Sequence, residues 1–228
     1  MALDQALLEE ADASGAAFLR LYRWNPPCLS FGRNEPALAR YDRARIAARG
    51  LAVVRRPTGG RAVWHEHEVT YAVAAPIAQF GTLAESYCDI HARLARALGT
   101  LGLDARLAPA GPSAPLGAGA CFAASAGGEV LVGGRKVVGS AQVRHGTAFL
   151  QHGSILLDGS QDVVRAVSHQ PSAVSETTLA QELGRPVTFA EVADAIVAAW
   201  DERLTPALAR PHPPSTALFA DPSWIWRR

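Results

Sequence analysis

The chain reads as a single α+β domain, and three observations predict it. Short β-prone runs bounded by Gly and Pro share the chain with amphipathic helical stretches. Residues 129–159 carry several such runs in succession, punctuated by Gly-Gly and His-Gly, the pattern of an antiparallel meander with tight turns. No internal repeat and no second core-forming unit appears in 228 residues. A hydrophobic content of 49% permits a sizeable core.

Taken in order, "MALDQALLEEADASG" (1–15) is acidic and helix-like, without the basic start and apolar run of a signal peptide. "AFLRLYRW" (17–24) and "CLSFGR" (28–33) predict strands on either side of the stiff Pro26-Pro27 pair. "ALARYDRARIAARG" (37–50) predicts a helix stopped at Gly50. "LAVVRR" (51–56) predicts a strand broken by "PTGGR", and "AVWHEHEVTYAVAAP" (62–76) resumes it. Leu83, Tyr87, Ile90, Leu94, Ala97, Leu98 and Leu101 recur at helical spacing. The Pro/Gly/Ala stretch 108–120 is the best candidate for a mobile segment. Thr188 and Glu191 form a capping box that opens a helix through "VADAIVAAW". The Pro-rich run 206–215 cannot continue it, so residues 1–205 are read as the domain and 206–228 as a tail. "WIWRR" at its end is either packed by its tryptophans or frayed.

A net charge of +1 with dispersed arginines excludes a nucleic-acid-sized basic field. Apolar runs stop short of the roughly 18–20 residues a membrane span needs. Three separated cysteines make no disulfide framework, so the reading is a cytoplasmic protein with reduced thiols.

Of 22 basic residues, Lys136 alone is a lysine. An ammonium is compact and can lose its proton when desolvated, whereas a guanidinium cannot. A surface charge needs neither property; a catalytic site can need both. "RRPTGGR" (55–61) is a plain Gly-rich turn or an anion-holding one, with backbone amides beside arginines. "HEHE" (65–68), on a strand, would set His65 and His67 on one face and the glutamates on the other; it lacks metal-site spacing, and no metal is expected. Cys28 and Cys88 fall in apolar settings and read as small buried hydrophobes. Cys121, 15 residues before Lys136, is a structural thiol or a nucleophile. His152, in "QHGS", could move a proton, bind substrate or merely end a strand.

Four segments taken together are more specific: "WNPPCLSFGRNE" (24–35), "RRPTGGRAVWHEHEVTYAV" (55–73), "ESYCDIHARLARALGTLGLDA" (85–105) and "CFAASAGGEVLVGGRKVVGSAQVRHGTAFLQHGSILL" (121–157). Over roughly residues 1–203 the chain resembles the lipoate–protein ligase A/B superfamily, most closely its cysteine-dependent octanoyltransferases. The resemblance implies a mixed, mostly antiparallel sheet with flanking helices, shared with biotin ligases and class II tRNA synthetases. It puts the family's lysine on Lys136 and its acyl-accepting cysteine on Cys121. The family's glycine turn, at the acyl and carboxyl end of the ligand, falls on Arg55, Arg56, Thr58, Gly59 and Gly60. Its H-G-[ST] motif falls on His152, Gly153 and Ser154. Thr58 and Arg61 replace a Ser and a third Gly usual in ATP-using ligases, which favours the transferase branch; the run after Cys121 departs from the family pattern.

The reaction this implies is transfer of an octanoyl group from acyl carrier protein to Cys121, then to a lysine of a lipoyl domain such as the glycine-cleavage H protein. Lys136 would activate the thiol and stabilise the oxyanion. Arg61, His65 and the Gly139-Ser140-Ala141 backbone join the turn as substrate-binding candidates, and Val63, Tyr71 and Val73 are candidates for the acyl slot. Thioester exchange needs no ATP, so no cofactor is expected, and the enzyme is expected to be a monomer. The rivals are an ATP-dependent lipoate ligase, a variant taking its octanoyl group from an H protein, and a non-catalytic subunit that binds lipoyl domains.

Overall fold

The computed structural model describes residues 1–109, 127–170, 176–200, 204–205 and 216–227. Cys121 and most of the 108–120 stretch lie outside the described residues, and so does the Pro-rich run 206–215.

Helix α1 (Ala2–Ser14) ends at Gly15, whose φ of 75° suits a left-handed cap. It buries Asp4, Leu7, Leu8 and Ala11, an i, i+3, i+4, i+7 stripe with a carboxylate in an otherwise apolar row. β1 (Phe18–Tyr22) and β2 (Cys28–Phe31) follow, but they enter different sheets. The helix expected over 37–50 is two short ones, α2 (Ala37–Arg40) and α3 (Arg43–Ala48). The break has a local cause. Asp42 caps α3 by accepting the Arg45 N–H, and extended Tyr41 turns its ring onto Phe31.

β3 (Ala52–Arg55) leads into the glycine turn. The long strand expected over 62–76 is β4 (Val63–His65) and β5 (Glu68–Pro76), interrupted by an exposed bend at Glu66 and His67. That break corrects the expected alternation. His65 and His67 do not share a face: His65 is buried beside Glu68, and His67 is in solvent. A short 3₁₀ turn at 77–79 precedes α4 (Leu83–Thr100), capped by Thr82. Next come β6 (Ala105–Leu107), β7 (Val130–Val132), β8 (Arg135–Lys136), β9 (Val138–His145) and β10 (Ala148–Leu156). Helices α5 (Asp162–Val167), α6 (Leu179–Leu183) and α7 (Phe189–Ala199) follow, and the expected capping box opens α7.

The strands form three sheets. A four-stranded sheet runs β1-β5-β10-β9, antiparallel throughout. β3-β2-β4 holds one parallel pair, and β6-β7-β8 is antiparallel. Odd-numbered β5 residues Val69, Tyr71, Val73 and Ala75 face α4 and α7 in the main core. Even-numbered Ala72 and Ala74 face α1. The fold is α+β, with mostly antiparallel sheets and flanking helices.

The end of the chain is packed. α8 (Ala217–Ala220) and α9 (Pro222–Ile225) lie against β3, and Trp224, Ile225 and Trp226 join a core with Leu29, Phe31 and Tyr41. Arg55, fully buried, donates to the carbonyls of Gly32, Arg33, Glu35 and Ile225, while the Trp224 indole N–H donates back to the Arg55 carbonyl. Among the described residues no helix is long and apolar enough to cross a membrane.

Candidate functional site

β10 lies between β5 and β9, and the register fixes the site. His152, Gly153 and Ser154 sit across from Ala72, Tyr71 and Thr70 on one side. On the other side they face Ala141, Ser140 and Gly139. The strand crossing demands a glycine at 153. A Cβ there would stand 2.5 Å from both the Gly139 carbonyl oxygen and Ser140 Oγ, and 2.8 Å from the Tyr71 ring. The glycine turn approaches with equal closeness, since a Cβ on Gly32 would lie 1.9 Å from the Gly60 carbonyl oxygen. Arg56 holds that turn by donating to the Gly59 and Arg61 carbonyls and to Ser30.

Between these elements lies a narrow, mostly apolar pocket. Nine of the residues picked from the sequence line it: Arg56, Val63, His65, Gly139, Ser140, Ala141, His152, Gly153 and Ser154. Met1, Trp24 and Thr70 complete the wall. Thr58 is buried behind it. Tyr71 and Val73 do not line it, because odd-numbered β5 residues face α4; Val73 borders a separate cavity with Phe18, Leu19 and Trp200. Even-numbered Thr70 takes the slot expected for them. Arg55 faces the C-terminal helices, where its carbonyl partners occupy it. Gly59, Gly60 and Arg61 shape the turn and are not pocket walls.

Two buried histidines border the pocket, each between a carboxylate and a hydroxyl. His65 Nδ1 donates to Glu68 Oε1 at 2.8 Å, and its Nε2 accepts from Ser30 Oγ at 2.5 Å. The Trp24 indole stacks on the His65 ring, centroids 4.4 Å apart. His152 Nε2 accepts from Thr58 Oγ1 at 2.5 Å, and its Nδ1 faces Asp4 Oδ2 at 3.5 Å. Asp4 also accepts from Tyr22 at 2.7 Å and pairs with Arg20. Burial pushes the Asp4 carboxyl up, but His152, the amino terminus and Arg20 together hold it well below the usual carboxylate range. Burial lowers the His152 pKa, so its imidazole is neutral at pH 7. Asp4, Ser30, Glu68 and Thr70 were not expected at a site. A carboxylate in the apolar stripe of α1 is the one sequence signal that marks Asp4.

Lys136 is 3% exposed and is not a pocket wall. Its Nζ lies 2.5 Å from Glu129 Oε1, across the hairpin turned by Gly133 and Gly134, both at positive φ. Three residues later Gly139 enters the pocket wall, so one short stretch supplies both the charge and the wall. Burial pushes the Cys28 thiol up to about 12, which makes it inert. Cys88 is exposed on α4, not buried as its apolar neighbours suggested. No group of three or more His, Cys, Asp or Glu that could hold a metal ion occurs among the described residues.

Comparison with known proteins places this geometry. Octanoyltransferase LipM of Carboxydothermus hydrogenoformans is 42% identical over 161 residues, spanning 69% of this chain and 60% of that protein. Octanoyltransferase LipM of Kyrpidia tusciae is 40% identical over 228 residues, covering 90% and 82%. The chain thus spans less than two thirds of the first relative's length and about four fifths of the second's. A crystal structure of lipoate-protein ligase A bound with ATP superposes with a TM-score of 0.74 over 87% of this chain and 77% of the other, at 22% identity, a likeness of fold. Residues 1–201 match the model of the lipoyl protein ligase A/B catalytic domain, and the chain belongs to that family.

Proposed function

We propose that this protein is an octanoyltransferase of protein lipoylation, working through a Cys121 thioester without ATP. The observation that carries the reading is the narrow apolar pocket walled by Gly139-Ser140-Ala141 and His152-Gly153-Ser154, with a buried Lys136 three residues from its wall. Identity near 40% to proteins called octanoyltransferases, over most of the chain, supports it. Octanoyl-acyl carrier protein is the proposed donor, and a lysine of a lipoyl domain or glycine-cleavage H protein the acceptor.

In the first step the Cys121 sulfur bonds to the thioester carbonyl carbon, the carrier sulfur leaves, and the cysteine proton goes to that leaving thiolate. One thioester replaces another, so the step is close to balanced. In the second step the acceptor amine attacks the Cys121 thioester, the cysteine sulfur leaves with a proton, and an amide forms. The positive charge of Lys136 offsets the developing oxyanion. The apolar wall takes the eight-carbon chain, and the buried carboxylates Asp4 and Glu68 are each partnered by a histidine.

Mixing the protein with octanoyl-acyl carrier protein, without ATP, should give one octanoyl adduct by intact mass, absent in Cys121→Ser and chased onto a lipoyl domain. Modification of the acceptor only with lipoate and ATP would overturn the reading in favour of a ligase. Tight acceptor binding with no modification under either condition would make the protein a binding subunit.

A further inference from the structure

His91 sits fully buried on the core-facing side of α4, where an apolar residue would suit the helix pattern. Its polar atoms are spoken for in one direction. Nδ1 donates to the Gly128 carbonyl at 2.7 Å, which leaves Nε2 to accept; Ser140 Oγ at 2.8 Å is the nearer donor and the Tyr71 hydroxyl, at 3.3 Å, the farther one. Ser140 Oγ then accepts from Tyr71 at 2.6 Å, and Tyr71 accepts from Gln151 Nε2 at 3.0 Å. Gln151 in turn accepts from Gln142 at 2.8 Å. With the Ser140 proton assigned to the nearer contact, the run from Gln142 to Gly128 is a wire of one polarity. One part of it is a pocket wall, Ser140. Its far end is the residue before Glu129, which holds Lys136.

We propose that His91 is a positioning residue for acyl transfer, holding the Ser140 wall of the pocket through Nε2 and the turn before Glu129 through Nδ1. The inference rests on the octanoyl-transfer reading for its consequences, and on geometry for its existence. Because the Ser140 proton points to His91, the serine offers the pocket an acceptor and no donor. It therefore does not compete for the thioester oxygen.

A serine, a histidine and a carbonyl in a row also resemble a nucleophile, its base and the group that orients the base. Two features speak against that use. The Tyr71 hydroxyl already donates to Ser140 Oγ, which damps its nucleophilicity. Burial, aided by the nearby charge of Lys136, lowers the His91 pKa to about 4, too weak a base to take a serine proton readily.

The two ends of the wire can be cut separately. His91→Asn retains an N–H near the Nδ1 position and loses the acceptor for Ser140. His91→Gln retains an acceptor near the Nε2 position and loses the Gly128 bond. In carrier-to-acceptor transfer, H91N should raise KM for the octanoyl carrier about tenfold with kcat little changed, the scale of one neutral hydrogen bond. H91Q should lower kcat about tenfold with KM little changed, because the turn carrying Glu129 loosens. Ser140→Ala should copy H91N, which keeps the KM branch testable if a His91 variant does not fold. Equal losses in both constants for H91N and H91Q would make the role structural and overturn the proposal. An octanoyl ester on Ser140 that survives in Cys121→Ser would overturn it in favour of the nucleophile. Nitrogen-15 NMR of the seven histidines reads the wire without any turnover. It should show His91 with a protonated Nδ1 and a bare Nε2, the latter shifted by S140A. That result stands even if no octanoyl transfer is found, and an Nε2–H tautomer refutes the wire whatever the activity.

Discussion

Replacing Lys136 by arginine keeps the charge and changes only its shape, so the pair Lys136→Arg and Lys136→Met separates charge from geometry. The ammonium is 3% exposed and sits 2.5 Å from Glu129 Oε1. Removing it in K136M leaves a buried carboxylate without its cation, a loss of about 3–5 kcal/mol. At roughly 2–4 °C per kcal/mol for a chain of this size, the melting point should drop by about 6–20 °C. K136R retains the pairing charge but forces a larger head into a filled site, an overpacking cost of about 1–3 kcal/mol, hence about 2–12 °C. The buried setting thus gives the substitution a stability cost that an exposed charge, worth about 0–1 kcal/mol in a surface pair, would not carry. Transfer should behave differently. The guanidinium is broad, planar and unable to give up a proton near neutral pH, so K136R should lose an oxyanion contact, roughly 2.7–4 kcal/mol or a hundred- to thousandfold in rate. The assay is octanoyl transfer from carrier to acceptor, read beside thermal melts of the same samples. The expected ordering is stability of wild type above K136R above K136M, with both variants at least about a hundredfold slower. If K136R keeps more than about a tenth of the rate, a loss below about 1.4 kcal/mol, Lys136 is only a charge and its being the sole lysine is an accident.

Other expectations follow from the same structure. A thiol reagent at pH 7 should label Cys88 and leave Cys28 untouched until the protein unfolds; labelling of native Cys28 would contradict a thiol held up at about 12. The depressed His91 pKa means that between about 6.5 and about 4 the unfolded chain takes up a proton that the native one refuses. Stability should therefore fall with pH across that window by roughly 3 kcal/mol, 2.5 units at about 1.36 each, and H91Q should show a shallower fall in acid melts. Asp4→Asn should destabilise at pH 7, with the difference from wild type shrinking as pH drops below about 4, where the unfolded carboxyl protonates; a pH-independent difference would remove the ionic role of Asp4. Arg55→Lys cannot reach all of the carbonyls Arg55 serves, and each buried acceptor left unmet costs about 1–3 kcal/mol, so its melting point should fall even though the pocket wall is untouched.

What was legible in the sequence was local. The helix spacing of 83–101 and the capping box at 188–191 encode themselves within a few residues, and each is where it is expected; the meander expected over 129–159 is instead two hairpins in different sheets, β7–β8 and β9–β10. The glycine motifs 139–141 and 152–154 reached the pocket because neighbouring antiparallel strands bring them into register. What was not legible depends on distance along the chain or on a bend. Asp4 meets His152 across 148 residues, and His91 meets Ser140 across 49. A two-residue bend at 66–67 turns an apparent alternation into a His65–Glu68 pair. Strand character alone suggests Tyr71 and Val73 for the acyl slot; the period of two sends them to the helix side and Thr70 to the pocket. Arg55 and Arg56 are neighbours in one motif, yet Arg55, at the end of β3, serves the C-terminal helices, and Arg56, just beyond the strand, holds the turn.

The polar groups around the pocket share a design. Ser30, Thr58, Ser140 and Tyr71 each give their proton to an imidazole or a neighbouring oxygen within the protein. His65, His152 and His91 each have one nitrogen turned to a carboxylate or carbonyl, which fixes the tautomer. A wall in which Ser30, Thr58 and Ser140 turn their protons inward is less polar to anything that enters, even though it is built from serines, threonines and histidines. For a thioester on its way to an amide this matters, because a loose hydroxyl or water near the carbonyl is a competing acceptor. A purely aliphatic wall would also be inert, but it would carry nothing to hold the strand edges in place. The hydrogen-bond chains do both. They link α1, α4 and the glycine turn to the β9–β10 edge, so the helices at its back and the turn at its front set the shape of the pocket. Cutting a link at the pocket wall should therefore show first in how well the acyl donor is held, and cutting the link to the Gly128 turn in how fast it is passed on.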